Sequence, residues 1–175
     1  NHGIMNQYRE NTIHGYYGHG QVFPKDYYGK VLEKPWASWM DPSQDVEEKL
    51  RKTPGIKEVF PRVSFYGFLT KGGVNLGGKA EGILPGWENA FFDRMNFIEG
   101  GALVAEDEVI LGKGLSDGLN AKVGDVVTVL TQTIDQQLNG ADLKVAGVFH
   151  TGVKAIDDTY FRIHLKQAQR LLDTD

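Results

Sequence analysis

The heptapeptide GKGLSDG at 112–118 follows a short apolar run, 109–111, and so stands where a nucleotide-binding chain would cradle phosphate. A dinucleotide fingerprint needs glycine at its first, third and sixth positions, so that backbone can approach a pyrophosphate at a helix start. Gly112 and Gly114 fill the first two, but the sixth is Asp117, a negative charge where phosphate should lie. No acidic ribose ligand closes the next strand, where Leu130, Thr131 and Gln132 stand, and no P-loop lysine motif occurs. The heptapeptide is therefore read as a structural turn. Five histidines, His2, His14, His19, His150 and His164, include no HExxH and no pair four apart. His14 and His19, five apart in a β-rich stretch, are expected on opposite faces of a strand. The carboxylates Glu106, Asp107 and Glu108, and the pair Asp157 and Asp158, lack the loop spacing that calcium needs, and read as solvated turns. Ser38, Ser43, Ser64 and Ser116 sit in no G-x-S-x-G context. The sequence thus assigns no catalytic, cofactor-binding or metal-ligating residue, and the chain reads as non-catalytic.

Two features invite contact with a partner instead. Eight aromatic residues fall in the first forty positions, with Trp36 and Trp39 in a stretch of no clear periodicity. Such residues either pack over a core or present apolar surface. The connection 132–142 (QTIDQQLNGAD) carries only Ile134 and Leu138 as large apolar side chains, and ends in the turn signal Asn139-Gly140. Trp36, Trp39, Ile134 and Leu138 are the candidate partner-binding residues.

These residues need a scaffold, and 175 positions are enough to bury one. With 41% hydrophobic and 24% charged residues, the composition is that of an ordinary globular chain. A net charge of -4, mixed in sign and without a Lys/Arg block, speaks against nucleic acid as a partner. The absence of cysteine removes disulfides and thiolate metal sites from consideration. No apolar run approaches the roughly 18 residues that a membrane helix requires.

Along the chain, 4–11 suits a short helix, 13–23 a glycine-weakened strand, and 25–40 an irregular aromatic stretch. Asp41 as N-cap, Pro42 at the first turn and Gln44 three residues after the cap predict a helix carrying Val46 and Leu50 on its inner face. Strands are expected over 56–69, where Pro61 implies an edge or a bulge, and over 74–84. A short helix after Pro85-Gly86 would align Trp87, Ala90, Phe91 and Arg94. Then come strand 109–111, a helix with Leu115 and Leu119 on one face, a turn at 123–125, and strands 126–131 and 143–149. An alternating strand, YFRIHL, and a helix, KQAQRLLD, end the series. Mixed short strands and helices of this kind argue an α+β fold with a mixed sheet.

The order and spacing of these pieces resemble the extracytoplasmic core domain of MacB/LolC/LolE/FtsX-like ABC transporter permeases. The pieces are VILGKGLSDGL and VGDVVTV, then VAGVF followed by a Thr-Gly pair and an acidic residue, then a strand and a helix at QAQRLL. The likeness is strongest over 81–172. It implies a Porter-like lobe built from both chain ends, 1–86 plus 157–175, and a smaller α/β Sabre-like lobe inserted at 87–156. It implies a domain on the periplasmic side of the inner membrane, excised from between membrane helices. Its partners would be a cytoplasmic ABC ATPase and a second permease subunit, with a lipoprotein, peptide, amphiphile or envelope protein as client. Asp157 matches the family's acidic position and is expected to cap or brace a turn. In the lipoprotein-releasing members, the 132–142 connection is a longer, proline-bearing hairpin that hooks a periplasmic chaperone; here it is shorter and has no proline. The alternative is a free-standing soluble protein-binding or adaptor domain of similar fold.

Overall fold

The computed structural model describes residues 5–6, 9–10, 13–14, 18–25, 27, 36, 39–40, 45–91 and 95–174. In chain order the elements are α1 (Val46–Arg51), β1 (Val63–Lys71), β2 (Val74–Ile83), α2 (Trp87–Phe91), β3 (Phe97–Gly100) and β4 (Glu108–Gly112). There follow α3 (Lys113–Leu119), β5 (Val126–Gln132), β6 (Leu138–Phe149), α4 (Lys154–Asp157), β7 (Tyr160–His164) and α5 (Leu165–Leu172).

The strands run β3-β6-β4-β7-β2-β1-β5, and a further pairing of β5 with β6 closes six of them into a ring. The twelve-residue β6 makes the closure possible. Its first half pairs antiparallel with β5, Gln132 opposite Leu138, and its second half runs parallel to β4, Gly112 opposite Phe149. Strand β3 adds to that second half from the other side. The sheet is mixed: β2–β7 and β4–β6 are parallel, and the other pairs antiparallel. Alternation decides which side chains fill the ring. Phe65 and Leu69 of β1, Val127 and Val129 of β5, Val109 and Leu111 of β4, and Phe161 and Ile163 of β7 point inward. There they meet Leu115 and Leu119 from α3 and Ala168, Leu171 and Leu172 from α5. Two pairings, β1–β5 and β4–β7, cross the expected lobe boundaries at 86/87 and 156/157, so strands from both expected lobes share one sheet.

Several expectations are corrected. Ile13 and His14 lie in a wide helical turn closed by the Gly18 amide on the Ile13 carbonyl, and 18–24 has no regular structure, so the described residues of 13–23 are not strand. Its glycines outweigh its β-formers. Strand β1 starts at Val63, after Pro61, and lies between β2 and β5; Pro61 marks the entry to an internal strand, not an edge. Helix α1 begins at Val46 with Asp45 before it, whereas the expected cap at Asp41 lies outside the described residues, as does Arg94. The 132–142 connection is mostly strand. The turn itself is 133–137, closed by the Gln136 amide on the Thr133 carbonyl, with Gln136 at φ 63. Asn139 and Gly140 pair with Thr131 and Leu130.

Candidate functional site

Strands β2, β7 and β4 are covered on both faces. Inside the ring they meet the apolar core. Outside, the crossing segment 84–107 folds over them and forms a second, smaller core of Ile83, Leu103, Ile110 and Phe149, with Met95 and Phe97 packed against it. The parallel β2–β7 register sets Glu81 opposite Arg162, and the antiparallel β4–β7 register sets Ile110 beside Arg162. Both charges therefore point into this outer layer, and both are buried.

Each buried charge is answered. The Arg162 Nε donates to a Glu81 carboxylate oxygen at 3.2 Å, and Arg62, just before β1, lies 3.6 Å from the same oxygen. The other arm of Arg62 pairs with Glu88 of α2, which is 1% exposed. Two arginines and two carboxylates thus tie the start of β1, β2, β7 and α2 together. Burial holds the Glu88 carboxyl above its ordinary value, against the pull of Arg62 and Arg162. A cavity of about 240 Å³ adjoins the cluster, with Glu88, Asn89 and Arg162 on its polar side and Ile83, Phe97 and Ile110 on its apolar side. The Asn89 amide is engaged with the Leu103 carbonyl at 2.7 Å, fixing α2 to the crossing segment.

The glycine heptapeptide forms a packing contact. A side chain on Gly112 would meet the Asp157 carbonyl oxygen at 2.4 Å, and one on Gly114 would meet Asp158. The start of α3 is thus occupied by the end of α4. Asp157 is buried and braces the preceding turn, as the resemblance implies. It accepts from the Thr151 amide at 2.7 Å and the Thr151 hydroxyl at 2.8 Å, and pairs with His150 at 2.7 Å. The heptapeptide and the acidic position, separate pieces in the sequence, are two sides of one contact.

The candidate partner residues come from two segments of the chain. Trp39 is half-buried against the main core, and its indole N–H donates to the Ser64 carbonyl at 3.2 Å; it also lines a groove with Val22, Phe23 and Met40. Trp36 is half-buried. Ile134 sits in the β5–β6 turn and Leu138 starts β6, 37% and 76% exposed. The His14 and His19 rings meet edge to face at 6.1 Å instead of lying on opposite faces, because the chain turns there. Among the described residues, no three His, Cys, Asp or Glu side chains form a group able to hold a metal ion.

The buried cluster was not among the sequence's candidates. Its one signal was opposite charge at Glu81 and Arg162 on two strands, and that signal needs the parallel register to become a pair.

The described residues include no helix long and apolar enough to cross a membrane, which says nothing of a β-barrel. The fold is similar to that of the extracellular domain of the noncanonical ABC-type transporter YknZ from Gram-positive bacteria. That likeness has a TM-score of 0.54 at 15% identity, and covers 81% of this chain and 70% of that one. The lipoprotein-releasing system transmembrane protein LolC of Neisseria meningitidis serogroup B is 30% identical over 130 residues. The match takes in 69% of this chain but 31% of LolC, so the chain spans about a third of that relative's length. The family model of the MacB-like periplasmic core domain matches residues 2–175, and the chain belongs to that family.

Proposed function

We propose that this chain is the extracytoplasmic domain of an ABC transporter permease subunit, turning ATP hydrolysis on the far side of the membrane into movement that acts on a client. The observation that carries the reading is the family match across the whole described fold. The architecture supports it mechanically. Strands from the first half of the chain, β1 and β2, are locked to β7 and α5 near its end by five registered pairs and a shared apolar core. A displacement applied at either end is therefore carried through the sheet as one piece.

The domain itself performs no chemistry in this reading. Nucleotide is bound by a cytoplasmic ATPase, and two permease subunits pair within the membrane. The client is a lipoprotein, a peptide or an amphiphile, of which a lipoprotein is favoured by the likeness to LolC. Client or partner contact falls first on Leu138 and Ile134 at the hairpin, then on the half-buried Trp36 and Trp39. The inserted lobe, 87–156, supplies the hairpin and most of the crossing segment.

The complete coding sequence tests the reading. One apolar span of about 20 residues before this region and about three after it is the expected result. An open reading frame with no such span on either side would replace it with the free-standing adaptor domain.

A further inference from the structure

The end of α5 is held by the β5–β6 hairpin in a way that stops the helix. The Asn139 side-chain amide donates to the carbonyls of Arg170 and Leu171, at 3.0 and 3.1 Å, and the Ile134 amide donates to that of Leu172 at 3.2 Å. The Asn139 Oδ1 accepts from the Gly140 amide at 2.9 Å, which fixes the orientation of the side chain. Beyond Leu172 the chain leaves the helix through Asp173, a non-glycine residue at φ 56, ψ 53, and the Thr174 amide reaches back to the Gln169 carbonyl. This is a left-handed cap without its usual glycine, so it carries a conformational cost.

A continuing α-helix would use the same groups differently. The Thr174 amide would move to the Arg170 carbonyl, and Asp173 would become right-handed. Asp173 cannot occupy both regions, so a capped end and an extended end exclude one another. The hairpin donors stabilise the first; the left-handed Asp173 opposes it.

We propose that Asn139 is a latch which selects between these two forms of the α5 terminus, and through it couples the hairpin to whatever pulls on that helix. The coupling rests on the permease reading only in taking α5 as the element through which the membrane part acts. Ile134 and Leu138, the exposed apolar residues of the hairpin, flank the latch, so a partner seated there shares its backbone with the cap.

Hydrogen exchange on the full-length protein in nanodiscs tests the latch. In Asn139→Ala the Ile134 amide should exchange roughly tenfold faster, the order expected for losing a cap of two hydrogen bonds, while the Thr174 amide slows as the helix extends. In Asp173→Gly, which removes the left-handed cost, the Ile134 amide should slow instead. Amides of β2 and β7 report whether each variant keeps its fold; should Asn139→Ala fail to fold, Asp173→Gly decides alone. Ile134 and Thr174 accelerating together in Asn139→Ala would show simple fraying and overturn the latch, as would an Ile134 amide unmoved by Asp173→Gly. Comparing the wild type with and without a non-hydrolysable ATP analogue bears on the permease reading separately.

Discussion

The two faces of β2, β7 and β4 are both buried, yet by opposite means. The inner face is closed by hydrocarbon alone: Phe161, Ile163, Val109 and Leu111 are each fully buried among other apolar side chains. The outer face is closed by the 84–107 crossing segment, which brings Glu88 to Arg62, Glu81 and Arg162 and leaves a cavity beside them. Apolar packing is dense and strong but specifies position only through shape. A buried ion cluster contributes little net stability, because desolvation offsets attraction, but it penalises any arrangement that separates its members. The ring therefore supplies stability, and the cluster fixes where the crossing segment sits.

Substitutions on the two faces should separate these roles. Phe161→Ala, inside the ring, should cost about 3–5 kcal/mol in equilibrium unfolding. Arg162→Met, outside it, should cost a similar amount, about 3–5 kcal/mol, because Glu81 is left buried without that partner. Converting Glu81 to Met in the same chain should recover much of the second loss. Failure of that rescue would mean that the outer face depends on charge pairing for stability. Gly112→Ala, which drives a methyl toward the Asp157 carbonyl, should cost about 1–3 kcal/mol.

Titration should sharpen the contrast, because the buried carboxyl of Glu88 and the exposed ones of Glu106 and Asp125 shift in opposite directions. Glu88 is raised from 4.5 by burial, so the folded chain holds its proton more tightly than the unfolded one. Its contribution is most favourable below about pH 4.5 and declines as pH rises through its higher folded value. Glu106, hydrogen-bonded by Arg170, and Asp125, held by the Lys122 amide and then by Lys71, are lowered. Their contribution is present above their unfolded values and is lost as pH falls through the lower folded ones. Stability measured against pH should therefore lose its decline above pH 4.5 in Glu88→Gln, and keep its acid limb. The smallest effect belongs to Leu138→Ser. Unfolding should move by no more than about 0.5 kcal/mol, while capture of a partner from solution falls; a large loss of stability would assign Leu138 to the fold.

What was legible in the sequence divides along the same line. From 108 onward most elements followed from local pattern: Leu115 and Leu119 on one helical face, the turn at 123–125 and the β-branched run 126–131, but not the first part of β6 or the short α4. Those patterns are set by a single buried side, which periodicity records. The outer cluster was hidden because Glu81 and Arg162 occupy the alternate positions of their strands, where a charge ordinarily marks solvent. Only the crossing segment, a tertiary feature, turns that face inward. Asn139-Gly140 misled for a related reason. It carries the local signature of a turn, but its asparagine is used as a cap for a helix thirty residues away, and the registered pairing of Gln132 with Leu138 places the turn earlier.

In the proposed function the domain moves as one piece with the state of a distant ATPase. The chain contains no cysteine, so Val104→Cys introduces a single thiol within the domain. Val104 is 74% exposed, and its amide is held by the Glu108 carboxylate at 2.9 Å, so a spin label there reports on the body of the domain. The distance between labels on two subunits of the reconstituted permease, measured by pulsed electron resonance, should change when nucleotide-free and ATP-trapped complexes are compared. Identical distance distributions in the two states would contradict the account.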